Sequence, residues 1–160
     1  MGPPTRRWTG QGSPASRIVR VATGGAPIPE MGPPYVATDL EHWKRRAPDG
    51  RGQRVDLVKL ATGAPQTSGW RAGDWVRGNT ELALGTAIAT FGPDGRYGNR
   101  TDGTSHAAIY LGQGPEGLRI LDQYTGADGI VRKQGRILRW EGGNPSSQSV
   151  DEGKNYRVIR

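Results

Sequence analysis

The feature that most constrains the fold is a glycine-rich turn between two short apolar runs in the second half of the chain. Residues 106–111 (HAAIYL) and 118–124 (LRILDQY) have the length and composition of strands, and GQGPEG at 112–117 separates them. Turn residues at such a junction predict a hairpin of antiparallel strands. Two further runs, at 136–140 and 156–159, predict more strands. We therefore expect a sheet in the C-terminal half.

Helices are predicted upstream of these strands. Thr38 and Glu41 have the spacing of a capping box, which predicts a short helix over residues 38–46. Residues 52–60 carry an apolar stripe that ends in Leu60, and Gly-Ala-Pro at 63–65 stops this second helix. A turn leading into a strand is expected at 70–78, and a strand of small residues at 85–91. Helices first and antiparallel strands afterwards is the α+β pattern.

Proline and glycine are unevenly distributed along the 160 residues, which are most simply one domain. The chain has 26 glycines and 12 prolines, with 33% hydrophobic residues, so a modest core is expected. Seven of the twelve prolines fall in residues 1–34. That region is predicted to be a flexible leader or linker, with only residues 17–21 resembling a strand, and the folded domain is predicted at 35–160.

Composition excludes several classes of function. With no cysteine, the chain has no disulfide, thiolate metal site or thiol nucleophile. A formal charge of +7 favours anionic partners, but the basic residues are scattered, with the tightest group at 44–46, which argues against nucleic acid. The loop from Asp122 to Gly129 lacks the final glutamate of a calcium site. No metal and no cofactor are expected, and no apolar run approaches the roughly 20 residues of a membrane span.

Five segments, taken in order, resemble a known family. They are GQRVDLVK at 52–59, WRAGDWV at 70–76, GTAIATF at 85–91 leading to GRY at 95–97, HAAIYL at 106–111 and LDQY at 121–124. In this order they resemble the bacterial papain-like cell-wall amidases. That family comprises the cysteine, histidine-dependent amidohydrolase/peptidase group and its relatives among type VI secretion amidase effectors. The resemblance implies a papain-like α+β fold, with N-terminal helices packed on an antiparallel sheet.

The resemblance also implies roles for individual residues. The nucleophilic cysteine of the family would fall at Arg54, in the first turn of the helix, where the helix dipole favours a thiolate. His106 matches the general base. Asp122 is the first choice for the residue that orients the histidine and Gln123 the second; strand alternation lets only one of them reach it. Because a guanidinium stays protonated, we expect no thiol catalysis from the chain as written.

The family further implies a substrate and partners. The substrate would be an amide bond in the stem peptide of peptidoglycan, and a secretion or immunity protein would be a partner. No apolar stretch follows Arg6 and Arg7, so no signal peptide is expected. A secretion system that needs no signal peptide would deliver the protein to the periplasm or to a target cell. If the family resemblance does not apply, a cytoplasmic location is expected. The expected substrate-binding residues are Gln53, Trp70, Trp75 and Tyr124, although tryptophans also suit a core.

Other interpretations remain open at the level of sequence. His106 could be an ordinary edge-strand residue, and His42 lies on a short charged helix that suits surface packing. Ser105 adjoins His106, but neighbouring strand residues point to opposite faces, so it is a poor replacement nucleophile. A second function is a pseudoenzyme that binds wall peptide or a protein without cutting. A third is a basic module that binds nucleic acid or another anionic surface.

Overall fold

The computed structural model describes residues 32–48, 53–100, 104–141 and 149–160. Two helices precede all six strands: α1 is Leu40–Arg45 and α2 is Arg54–Thr62. The strands are β1 (Ala72–Trp75), β2 (Ala87–Thr90), β3 (Ala107–Gly114), β4 (Gly117–Thr125), β5 (Val131–Leu138) and β6 (Tyr156–Ile159). Short 3-10 turns lie at Thr67–Gly69, Ser149–Asp151 and Gly153–Asn155.

The six strands form one sheet in the order β1-β6-β2-β3-β4-β5, and every neighbouring pair is antiparallel. The strand at the end of the chain therefore lies between β1 and β2, where each of its edges is paired. The predicted hairpin is present, with Gly114 paired to Gly117 across its turn. Pro34–Arg160 forms one compact unit. The predicted leader falls almost entirely outside the described residues, as does the strand expected at 17–21.

Two apolar clusters cover the sheet. Side chains alternate along β3, so Ala107 and Ile109 pack in one cluster, while Ala108 and Tyr110 pack in the other. The first cluster also contains the buried residues of α2, which are Val55, Leu57, Val58 and Ala61. This packing fixes α2 against the face of the sheet that carries Ala107 and Ile109.

The helix boundaries differ from the expected ones for local reasons. The predicted capping box at Thr38 is wrong: Asp39 is the N-cap of α1, and its Oδ1 accepts the His42 N–H at 3.2 Å. In α2, Leu60 is exposed and lies off the buried face, which corrects the expected stripe. The helix continues to Thr62 and ends at Gly63, whose φ of +74° suits a residue without a Cβ.

The last part of the sheet departs most from expectation. A strand was expected at 136–140, but β5 spans Val131–Leu138, and Trp140 lies beyond it. The first half of β5 is polar, with Arg132 and Gln134, because β5 is an edge strand and its exposed positions need no apolar residue. Periodicity alone therefore missed it. The register of β5 opposite β4, with Asp122 facing Gln134, positions the cluster described below.

Candidate active site

Arg54 is the first residue of α2, at the helix end where the backbone N–H groups point outward. Its Nε donates to the Tyr97 hydroxyl at 3.3 Å, and its Nη2 donates to the carbonyl of Arg100. A cation at a helix N-terminus costs about 0.3–1 kcal/mol. Two hydrogen bonds from the charged guanidinium act against that cost. Arg54 therefore fastens the segment from Tyr97 to Arg100 to the start of α2.

Tyr97 is held in place from its other side. Its ring lies 4.9 Å from that of Trp70 and 6.4 Å from that of Phe91, within the cluster on the α2 side of the sheet. Burial raises the pKa of the Tyr97 hydroxyl, and the hydrogen bond from Arg54 opposes that shift. The hydroxyl is therefore protonated at neutral pH and accepts from Arg54 while keeping its own proton.

His106 directly precedes β3 and is buried. Its backbone N–H donates to the Thr90 Oγ1 at 3.1 Å, and its carbonyl accepts the Thr90 N–H at 3.0 Å, so the residue is fixed to β2. Its ring Nε2 lies 2.6 Å from Oδ2 of Asp122, which is fully buried on β4. The structure thus brings together the predicted base and the first choice for its orienting residue.

A third residue, Arg136 on β5, completes this cluster. Its Nη2 lies 2.7 Å and its Nε 3.1 Å from the same Oδ2 of Asp122. Burial acts to raise the pKa of Asp122, but the hydrogen bonds from His106 and Arg136 outweigh it and hold that pKa below its usual value. An ionised carboxylate only accepts hydrogen bonds, so Nε2 of His106 carries a proton. In the neutral form of the ring, Nδ1 is then the nitrogen with a lone pair and the one that can act as a base.

Gln123, the alternative orienting residue, serves the other half of the site. It follows Asp122 on β4, is fully buried, and its Nε2 donates to the backbone carbonyl of Gln53 at 2.7 Å. Gln53 is the N-cap of α2, directly before Arg54. Because side chains alternate along β4, Gln123 faces the side of the sheet on which α2 packs, whereas Asp122 and its contact with His106 face the other side. Among the described residues, no hydrogen bond or ion pair joins Arg54 to His106 itself.

The four expected substrate-binding residues do not line one groove. Trp70 is fully buried, and its Nε1 donates to the Pro65 carbonyl at 2.9 Å, so its ring belongs to the core. Trp75 is 54% exposed on β1, under the guanidinium of Arg157. Tyr124 lies on β4, four strand spacings from β1, the strand of Trp75. At about 4.8 Å per spacing, the two strands are about 19 Å apart. A pocket of about 410 Å³ opens instead beside α2, with Gln53 among its lining residues.

Sequence reasoning missed Arg136, Thr90 and Tyr97 as parts of the site. Arg136 and Asp122 are distant in sequence and meet only through the register of β4 and β5. Thr90 and Tyr97 did carry a signal, because both belong to segments of the family resemblance. Within the described ranges, no group of three or more His, Asp or Glu side chains could hold a metal ion. No helix in that part of the chain is long and apolar enough to span a membrane.

Comparison with known proteins identifies the family. The family model of domesticated amidase effector 2 matches residues 41–159, which is most of the chain. The chain belongs to this family. A "type VI secretion amidase effector 2 protein" of Salmonella typhi is 42% identical over 87 residues, which cover 54% of this chain and 64% of that relative. The match thus spans slightly under two thirds of the relative's length.

A solved structure supports the same assignment to the domesticated amidase effector 2 family. It is titled "Type 6 secretion amidase effector 2", and it superposes with a TM-score of 0.66 at 30% sequence identity. The superposition covers 78% of this chain and 93% of that one. The predicted relation to type VI secretion amidase effectors is confirmed, and so is the papain-like α+β fold.

Proposed function

We propose that this chain is a peptidoglycan amidase-type domain whose site uses the start of α2 and the His106–Asp122 pair, and that Arg54 leaves it without thiol hydrolysis. The observation that carries the proposal is the 2.6 Å contact of His106 with a buried carboxylate. It stands beside Gln123, whose amide holds the N-cap of α2. Cysteine hydrolases require a histidine base oriented by a polar side chain and a nucleophile at a helix N-terminus, and His106 with Asp122 and residue 54 are the positions that correspond to these parts. Membership of an amidase effector family supports the reaction class.

With a cysteine at position 54, the steps would follow from these positions. Nδ1 of His106 takes the thiol proton, and the thiolate attacks the carbonyl carbon of the amide. Backbone N–H groups at the start of α2 stabilise the oxyanion. The imidazolium returns the proton to the departing amine, which leaves a thioester at residue 54, and water hydrolyses that thioester. Asp122 stays ionised throughout and stabilises the imidazolium.

A second candidate, binding of wall peptide without cleavage, is favoured by the contacts of Arg54. A guanidinium cannot replace the thiolate, because it remains protonated and is not a nucleophile. Its bonds to Tyr97 and Arg100 keep the start of α2 ordered despite the loss of the nucleophile. The chain as written would then recognise the stem peptide and hold it. An immunity protein and a secretion apparatus are the expected protein partners, with the periplasm of a target cell as the place of action.

Restoring the nucleophile tests the proposal. We expect Arg54→Cys to release amine from purified peptidoglycan, while the unmodified chain releases none. Arg54→Ala is the matched control, since it removes the guanidinium and adds no thiol, and it should stay inactive. His106→Ala in the Arg54→Cys background should abolish hydrolysis, with a loss on the order of 100-fold or more from the missing base.

Two outcomes would contradict this assignment. A folded Arg54→Cys variant that is inert on peptidoglycan would remove residue 54 as the nucleophile position. Cleavage by the unmodified chain would remove Arg54 as the cause of inactivity. Circular dichroism and thermal unfolding of each variant establish that folded protein was assayed.

A further inference from the structure

The carboxylate that contacts His106 is shared with a guanidinium on the next strand. Oδ2 of Asp122 lies 2.6 Å from Nε2 of His106 and 2.7 Å from Nη2 of Arg136. The Arg136 Nε adds contacts of 3.1 Å to Oδ2 and 3.3 Å to Oδ1. Two nitrogens of one rigid group therefore restrain the rotation of the carboxylate, as in other forked arginine–carboxylate pairs.

Arg136 is itself restrained. Its guanidinium lies 5.9 Å from the centre of the Tyr124 ring, and its side chain is 30% exposed, with the charged group facing the buried Asp122. A surface arginine loses little when its partner is lost, whereas a carboxylate buried as deeply as Asp122 needs a compensating charge. The Asp122–Arg136 pair is therefore expected to stay formed whether or not a substrate is bound.

We propose that Arg136 is a positioning residue: its guanidinium fixes the Asp122 carboxylate so that this group accepts the Nε2 proton of His106 and leaves Nδ1 free. Without Arg136 the carboxylate can rotate or take up a proton, and a protonated Asp122 would donate to the ring instead of accepting from it. Its importance for hydrolysis rests on the proposed function above. The effect of Arg136 on the His106 ring needs no nucleophile, so it is expected in the chain as written.

Among the residues that the structure describes, Tyr156 and Asp151 also act electrostatically on the cluster of His106, Asp122 and Arg136. Burial raises the pKa of the Tyr156 hydroxyl well above its ordinary value, and that hydroxyl donates to the Val150 carbonyl at 2.7 Å, so it stays neutral. Arg136 is thus the one permanent cation among the described groups bonded to this carboxylate.

Carbon-13 NMR of the Asp122 carboxyl in the unmodified chain tests the proposal, with nitrogen-15 NMR of the His106 ring recorded on the same samples. In Arg136→Gln we expect the carboxyl to titrate at a pH higher by at least about one unit, a tenfold change in proton affinity. The two ring nitrogens of His106 should then approach each other in chemical shift as the tautomers exchange. Arg136→Lys, which keeps the charge but loses the fork, should restore most of the carboxyl shift.

Arg132→Gln is the matched control, because Arg132 lies on the same strand, is exposed, and pairs with Asp128 instead. It should leave both signals unchanged. An Asp122 titration and a His106 tautomer in Arg136→Gln that match the unmodified chain would overturn the proposal. In the Arg54→Cys background, Arg136→Gln should lower kcat and move the acidic limb of the rate profile to higher pH, with KM unchanged. If Arg54→Cys is inert while the NMR signals move as expected, the proposed function fails and the positioning role stands.

Discussion

At the scale of single residues, the buried carboxylate of Asp122 controls the local electrostatics. Its folded-state pKa lies below its usual value because of His106 and Arg136, which act against burial. The unfolded chain holds a proton on Asp122 up to about pH 3.9. Ionised Asp122 therefore stabilises the fold fully above that pH, and the stabilisation is lost as pH falls through the lower, folded-state pKa.

We expect Asp122→Asn to lower the free energy of unfolding by about 3 kcal/mol near neutral pH, because the hydrogen bonds from His106 and Arg136 to a buried charged acceptor are lost. The difference from the unmodified chain should shrink at acid pH, as the pH falls through the lowered pKa of the native carboxyl. Urea unfolding at the two pH values measures it. Asp128→Asn, in an exposed pair with Arg132, should change little at either pH. A deficit in Asp122→Asn that stays constant with pH would show that charge is not its cause.

At the scale of elements, the turn between β3 and β4 has a specific steric requirement. Gly117 has φ of +151°, and a Cβ there would come within 2.1 Å of the Leu138 carbonyl oxygen on β5. Gly129, in the turn before β5, has φ of +76° with open space around it. Alanine at position 129 should cost only about 1–2 kcal/mol, the left-handed backbone penalty. Alanine at position 117 should cost more, since backbone must move, and thermal unfolding of the two variants compares them. Equal losses of stability in the two variants would show that the backbone near position 117 moves away from the added Cβ at little cost in free energy.

The elements also show how far sequence reasoning reached. The hairpin was predictable because GQGPEG marks a turn and both runs beside it are apolar, and the start of α2 was close to its expected place. The first half of β5 was not predictable. It is a polar edge strand, and its hydrophobic periodicity does not distinguish it from a loop. Arg136 lay within the expected strand at 136–140, but nothing in that run indicated a partner for its side chain. Its meeting with Asp122 depends on a register between strands, and register is a property of the sheet and not of either segment alone.

At the scale of the whole molecule, family membership and net charge suggest different partners. A charge of +7 attracts any polyanion, whereas a site built on His106, Asp122 and the start of α2 would recognise a peptide through contacts that salt does not screen. The family resemblance predicted the fold, while the roles that it implies for individual site residues stay predictions. It could not predict that Trp70 is core or that Trp75 and Tyr124 lie far apart, because those outcomes depend on packing.

We therefore expect retention of the unmodified chain on purified peptidoglycan to persist at about 1 M salt, where the Debye length is roughly 3 Å. Binding to duplex DNA, if it occurs at low salt, should vanish over the same range because it depends on counterion release. Co-sedimentation with the two polymers at increasing salt measures both, and free stem peptide should compete only with the first. Retention on DNA that equals or exceeds retention on peptidoglycan near physiological salt would favour a basic surface over a peptide site. If binding to peptidoglycan and binding to DNA fall in parallel as salt rises, a basic surface is again favoured, since charge alone would then account for the binding.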